Sequence, residues 1–423
     1  MSIPVASQPP ETPERLWTLN FVLLWQGQLV SILGDVVYSI ALGFWVLAVT
    51  GSTALMGGLL AASTLPRVLA APIAGVVVDR GDRRLLMVWM DAVRGAAVVT
   101  VGIAALSGLL QVWMVFAAGV ILGLCGAFFT PAVSSVIPDI TAKPRVMQAN
   151  SVFSMLQTGS NILGNLAGGV LFQVIGAPFL FLFNGVSYLF SAGNLLFARF
   201  PRIQHAQEKA HFMKDLGSGL AFVWKLRGLR YLIFIAAVVN FFANMAFMLF
   251  LPFFQKNPVL GPVKYGIAMA VFTGGMFLSL ALLTAVKIPP SKRFVLFQVC
   301  GVTAFGSMIA FPFIPIFPVA AVILGVSGFA HAGINVFINS VMQLAVPQDM
   351  RGKVFSLMAM ATLGLTPVAF ALAGALAEFI PTALIIGGCF LVTFFAGMPS
   401  MFLGSFKRFI NFDPAKDTVG SIR

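Results

Sequence analysis

The sequence predicts an all-α membrane protein with twelve transmembrane helices in two pseudo-symmetric six-helix bundles and both termini in the cytoplasm. Three observations predict it. The 423 residues are 59% hydrophobic and 9% charged, with a mean hydropathy of +0.98, whereas soluble domains carry about 25% charged residues. The apolar residues fall into runs long enough to cross a hydrocarbon layer about 30 Å thick. Lys and Arg gather in alternate loops. Alternating strand patterns are absent, so helices must satisfy the backbone in lipid.

Residues 1–16 form a tail rich in Pro and Glu with no basic n-region. The tail does not resemble a cleavable signal peptide, so the first helix is expected to act as its own insertion signal. Cutting the apolar runs at charges and Pro/Gly clusters gives helices at 17–48, 53–78, 85–107, 112–137, 146–175 and 178–199, a first bundle over 17–199. The longer runs imply tilt or protruding ends. The polar segment 200–228, with Arg202, His205, Glu208, Lys209 and Asp215, reads as a cytoplasmic linker. Helices at 229–254, 265–286, 294–316, 318–345, 352–379 and 382–405 then form a second bundle over 229–405, and 406–423 read as a cytoplasmic tail.

The net charge of +13 would, in a soluble protein, raise the question of nucleic acid. Sidedness explains it here, and no nucleic-acid partner is expected. Arg80, Arg83 and Arg84 lie between helices 2 and 3, Lys143 and Arg145 between 4 and 5, and Lys287, Lys292 and Arg293 between 8 and 9; Arg351 and Lys353 precede helix 11. Lys256 and Lys264 alone fall in an outward loop. The positive-inside rule therefore places both termini in the cytoplasm. The two halves also echo one another. Val136-Ile137-Pro138-Asp139 and Val152-Phe153-Ser154-Met155 return as Ala345-Val346-Pro347-Gln348 and Val354-Phe355-Ser356-Leu357. Such a repeat marks a carrier with a site between two bundles.

A charge at mid-membrane costs about 2.5 to 3.5 kcal/mol on insertion scales, so it shelters from lipid. Asp35 and Arg67 stand sixteen residues on either side of Gly51, at the tip of the hairpin of helices 1 and 2. Equal depth on the two arms lets them meet. Asp35 is the candidate protonation or cation-binding site, with Arg67 setting its proton affinity; a permanent structural salt bridge is the alternative. Polar stripes run along helix 1 (Gln28, Ser31, Asp35, Ser39), helix 5 (Asn150, Ser154, Gln157, Asn161, Asn165), helix 7 (Asn240, Asn244) and helix 10 (Ser327, His331, Asn335, Asn339). They face a substrate cavity or form interhelical hydrogen bonds. His331 alone reads more readily as a hydrogen-bonded interior residue than as a proton carrier. Phe241, Phe242, Met245 and Met248 offer soft surface for bulky ligands. Pro66, Pro131 and Pro367 mark bends.

Cys125, Cys300 and Cys389 have no spacing for a metal or a disulfide framework. No phosphate loop and no nucleophile motif appears. The chain therefore reads as a non-enzyme without metal or cofactor, driven by a gradient.

Gly75-Val-Val-Val-Asp79-Arg80-Gly81-Asp82-Arg83-Arg84, between helices 2 and 3, resembles the signature loop of the major facilitator superfamily. Gly75 would permit close helix approach and Asp79 would hold a nearby arginine. The resemblance implies a latch that closes the cytoplasmic side in the outward-open state. Phe129-Thr130-Pro131-Ala132, Met147-Gln148-Ala149-Asn150-Ser151 and Arg351-Gly352-Lys353-Val354-Phe355-Ser356 are similar to the branch with the macrolide-efflux proteins and the enterobactin exporter. Gly164-Asn165-Leu166-Ala167-Gly168-Gly169 resembles the antiporter motif Gly-Pro-x-x-Gly-Gly, with Asn165 in place of the helix-bending proline. The resemblance implies a monomer in the inner membrane with its polar stripes converging on one central cavity. It would export an amphipathic or hydrophobic small molecule, drug-like or siderophore-like, by proton antiport. The alternatives are a lysophospholipid carrier of the same fold, or a non-transporting receptor or channel.

Overall fold

The structure, a computed structural model, describes residues 15–200, 212–286, 288–413 and Asp417. Most of both tails and the middle of the linker lie outside the described residues, as do Lys287 and the side chains of Asp79 and Lys143. The first half holds α1 (Leu19–Thr50), α2 (Thr53–Arg80), α3 (Arg83–Leu106), α4 (Val112–Asp139), α5 (Val146–Ile175) and α6 (Ala177–Phe197). Several boundaries follow from local chemistry. Gly51, at φ 65°, turns the chain out of α1 in the left-handed region. Ser52 and Asp82 then cap α2 and α3, their side chains accepting from the amides of Leu55 and Leu85 at 3.1 Å.

The second half departs further from the hydropathy. The expected linker carries a helix, α7 (Phe212–Lys225), whose neighbours α8 (Arg227–Lys256) and α12 (Gln348–Leu363) cover Val223. Between these come α9 (Gly261–Ala285), α10 (Pro290–Ala310) and α11 (Phe317–Ala345). The single run expected at 352–379 is broken: α12 ends at Leu363 and α13 (Thr366–Leu376) restarts with Pro367 in its first turn. A proline disfavours the helical conformation in the residue before it and suits a first turn. Pro66 and Pro131, in contrast, lie inside α2 and α4, which continue through them. α14 (Thr382–Gly397) stops short of Pro399. Residues 406–410, read from hydropathy as tail, belong to α15 (Gly404–Ile410), whose Phe406, Phe409 and Ile410 are fully buried.

Eleven helical spans among the described residues are long and apolar enough to cross a membrane. α5 is not one of them, although it has 30 residues, because its polar stripe lowers its hydropathy. Within the first half α3 packs on α4 and α6, α1 on α5 and α6, and α2 on α4; in the second, α11 packs on α9 and α10, and α14 on α8 and α10. The halves meet chiefly where α5 lies on α9 and α2 on α13.

The apolar cores report how the halves are disposed. One core is shared, joining Phe44, Val46 and Phe181 of the first half to Phe250, Phe254 and Phe311 of the second. It lies at the end that carries Gly51. Two further cores are each private to one half, one around Phe21, Met87 and Val136, the other around Leu229, Val341 and Phe406. The molecule is therefore closed at the Gly51 end and parted at the other.

Candidate functional site

The first half holds a cleft of 970 Å³, lined wholly by residues of α1 to α6. Gln28, Ser31 and Asp35 of α1 line it, with Asn150, Ser154, Gln157 and Asn161 of α5 and Arg67 of α2. Asp35 and Arg67, however, do not form the expected pair. Arg67 Nη2 donates instead to Thr130 Oγ1 on α4, at 3.4 Å. Equal depth is not adjacency: α2 packs on α4 and α13, while α1 packs on α5 and α6.

The partners of Asp35 come from α6. The Tyr188 hydroxyl donates to Asp35 Oδ1, and Asn184 Nδ2 donates to the same oxygen at 3.4 Å. Glycines let α6 come close enough. A Cβ on Gly34 of α1 would stand 2.5 Å from Asn184 Oδ1, and one on Gly185 of α6 would stand 2.7 Å from the Val99 amide of α3. α3 brings the counter-charge. Its Arg94 pairs with Asp91, one turn earlier on the same helix, and its guanidinium lies 4.1 Å from the Phe129 ring and 4.5 Å from the Tyr188 ring. Asp91 and Arg94 are buried, while Asp35 and Arg94 both line the cleft. Arg94 is thus paired with Asp91, while Asp35, on the same cleft as Arg94 and Arg67, has no ion-pair partner of its own among the described residues. Sequence reasoning missed Asp91, Asn184 and Tyr188. The signal was present: Asp91 and Arg94 at i, i+3, and a polar face of Asn184, Ser187, Tyr188 and Ser191 in an otherwise apolar helix.

The remaining stripes do not converge on this cleft. Asn240, His331, Asn335 and Asn339 line a separate cavity of 260 Å³ inside the second half. Asn244 lines neither; its Nδ2 donates to the Asn240 carbonyl at 2.8 Å. Phe241, Phe242, Met245 and Met248 line neither cavity, because they belong to or pack against the shared core.

The family model described as Major Facilitator Superfamily matches residues 24–369. The chain belongs to that superfamily. It is a multi-pass membrane transporter and not an enzyme. Superfamily relatives include macrolide efflux protein A of Streptococcus pyogenes, 24% identical over 348 residues that cover 81% of this chain and 85% of the relative. Multidrug efflux pump Tap of Mycobacterium tuberculosis is 26% identical over 361 residues, covering 83% and 85%. Among solved structures, a bacterial homolog of the human lysosomal transporter Spinster, inward-facing and unoccupied, superimposes with a TM-score of 0.69 at 16% identity, covering 94% of this chain and 98% of that one. A bacterial homologue of the iron transporter ferroportin, inward-facing, gives 0.68 at 15%, covering 90% and 98%. These likenesses show the superfamily's all-helical fold.

The superfamily loop behaves differently from its sequence reading in one respect. A Cβ built on Gly75 would meet nothing within 4 Å, so no neighbouring helix approaches it here. Arg83 pairs with Asp139 at the end of α4, and Arg84 donates to the carbonyls of Leu195, at 2.9 Å, and Leu196. Arg80 is exposed. Both anchored arginines thus hold helices of the first half to one another.

The glycine motif lies on the other face of the story. α5 runs unbroken through Asn165. A Cβ on Gly164 would stand 2.8 Å from Val36, one on Gly168 2.8 Å from Ile40, and one on Gly169 2.3 Å from the Pro262 carbonyl. Gly266 of α9 would meet the Asn165 carbonyl at 2.5 Å, and Gly57 of α2 the Phe370 carbonyl of α13 at 2.4 Å. Gly164 and Gly168 seat α5 on α1 within the first half, whereas Gly169, Gly266 and Gly57 join the two halves at the closed end. Just beyond, Glu378 accepts from the Ser52 hydroxyl and the Ala54 amide, both at 2.8 Å, and Lys256 donates to Thr53 at 3.0 Å.

Proposed function

We propose that the protein exports an amphipathic or hydrophobic small molecule by alternating access, in exchange for a proton carried by Asp35. The observation that carries this reading is the position of Asp35: it opens to the large cleft and is tied to Tyr188, yet the Arg94 on the same cleft is paired with Asp91. Adding a proton there changes the charge balance of a buried cluster and so biases which arrangement of the halves is favoured. A cationic or hydrogen-bonding substrate reaching the cleft competes for the same carboxylate, which makes proton and substrate mutually exclusive.

α5 completes eleven apolar spans to twelve, in bundles over 17–199 and 229–405 joined by the linker at 200–228. With Arg83, Arg84, Arg145 and Arg351 on the cytoplasmic side of the inner membrane, both termini are cytoplasmic, the Gly51 end faces outward and the cleft is open to the cell. The resemblance of the drug-efflux relatives supports export and an apolar substrate, and the unit is a monomer.

The test is flux of ethidium, a lipophilic cation, in proteoliposomes with an imposed pH gradient. Asp35→Asn is expected to abolish the response to the gradient while preserving counterflow. Arg67→Ala, whose side chain is bonded to Thr130, is expected to remain coupled. Unaltered gradient dependence in Asp35→Asn would remove the proton role.

A further inference from the structure

The two cavities differ in charge. Asp35, Arg67 and Arg94 wall the first, whereas the second has no Asp, Glu, Lys or Arg among its lining residues. The internal repeat accounts for the difference. α3 packs on α4 and α6, and α10 correspondingly on α11 and α14. Counted from their first residues, Arg83 and Pro290, the positions of Asp91 and Arg94 are taken in α10 by Gln298 and Gly301. In the first half the Arg94 guanidinium fills the interior against Phe129 and Tyr188. In the second half no side chain occupies that place: a Cβ on Gly301 would meet nothing within 4 Å. Gln298 is engaged with Ser400, to which its Nε2 donates at 2.7 Å. The second cavity, which Gln298 and Gly301 both line, is the room left by the missing ion pair.

The wall of this room carries polar groups with unused hydrogen-bonding capacity. Asn240, Asn335 and Asn339 each donate Nδ2 to the carbonyl one turn earlier, of Ala236, His331 and Asn335, at 2.8, 3.0 and 2.9 Å. Each amide nitrogen uses one of its two hydrogens this way, so each asparagine keeps Oδ1 as an acceptor and one N–H as a donor. None of the three Oδ1 atoms, nor the His331 ring, has a hydrogen-bond partner among the described residues. The rest of the lining is largely apolar, with Phe297, Phe305 and Phe394. A charged ligand would find no Asp, Glu, Lys or Arg here, whereas an uncharged ligand with an amide-like donor and acceptor would pair with both kinds of free group.

We propose that the cavity between α8, α10, α11 and α14 is a second ligand site, selective for small, uncharged, mainly apolar molecules that carry an amide-like hydrogen-bond donor and acceptor. It stands apart from the proton exchange proposed at Asp35. A volume of 260 Å³ limits it to compounds below the usual range of drug pockets, about 300 to 1,000 Å³. The larger cleft takes the larger or cationic molecules.

Equilibrium binding of tritiated carbamazepine, an uncharged tricyclic carboxamide, to the purified full chain in lipid nanodiscs tests the proposal without requiring flux. Saturable binding is expected, weakened tenfold or more by Gly301→Leu, which fills the room, and by Asn335→Ala, which removes an acceptor. Gly301→Ala should bind nearly as the native protein does, and unchanged unfolding temperatures certify that the variants are folded. Saturating ethidium should leave carbamazepine binding in place. The proposal is overturned if the native protein binds carbamazepine without saturation, if Gly301→Leu and Asn335→Ala bind it normally, or if ethidium displaces it. A loss of gradient-driven ethidium flux in Asp35→Asn has no bearing on this result, so the two readings fail separately.

Discussion

The Tyr188 hydroxyl donates to the Asp35 carboxylate while the face of the same ring lies 4.5 Å from the Arg94 guanidinium. One aromatic side chain from α6 therefore links the carboxylate exposed to the cleft with the ion pair buried behind it. Tyr188→Phe separates the two roles, keeping the ring and deleting the donor. A hydrogen bond to a charged group contributes about 1.5 to 3 kcal/mol, so gradient-driven efflux should fall about tenfold or more with little change in unfolding temperature. Flux and thermal unfolding of the purified variant check this, and a normal rate would remove the tyrosine from the coupling path.

The Asp91–Arg94 pair is a matter of stability first. Replacing Arg94 by Met leaves Asp91 buried without its partner, a change that costs on the order of 3 to 5 kcal/mol. The unfolding temperature in detergent should drop sharply. Asp91→Asn added to Arg94→Met removes the stranded charge and should recover much of the loss; a double variant no more stable than the single one would contradict the charge argument.

At the closed end, Gly169 faces the Pro262 carbonyl with no room for a Cβ. Gly169→Leu must push α5 from α9 and should populate the form open at that end. Spin labels at Ser107 and Ile316, in a background without the three cysteines, would report a longer or broader distance distribution than in the parent. An identical distribution would show that the seam can absorb the side chain.

Glu378 gives the same end a dependence on acidity. The Ala54 amide and the Ser52 hydroxyl hold its carboxyl below the usual carboxylate range. The closed form is thus favoured above that range, and the preference is lost as pH falls through the lowered value. Acidifying the outer face should shift the Ser107–Ile316 distances toward the open form, and Glu378→Gln should produce part of that shift at neutral pH. The group is largely solvated, so a modest change is expected; no change in either experiment would limit the contact to a passive role.

The spans of the first half were legible because apolar runs and their charged or glycine-bearing ends are local signals. Gly51, Ser52 and Asp82 stop and start helices where the hydropathy does. The breaks at Gly364 and Leu365 and before Pro399, and the burial of α15, were harder to see, because apolar content alone cannot tell a continuous span from two helices in series. At the site, helix depth put Asp35 and Arg67 at one level, and both line the same cleft. It could not say which side chains touch, since that depends on which helices are neighbours. Gly34 and Gly185 decide this by admitting α6 against α1 and α3, so Tyr188, not Arg67, reaches Asp35. The division of the polar stripes into two cavities was equally hidden, because it turns on the absence of a side chain at Gly301.

The glycine contacts between α5 and α9 and between α2 and α13 bring backbone against backbone with no side chain interposed. Such a seam leaves no lumen for a hydrated ion, so the closed end is an electrical seal as well as a steric one. Around it the packed Phe44, Phe250 and Phe254 side chains and the Glu378–Ser52 contact must separate before this end can open.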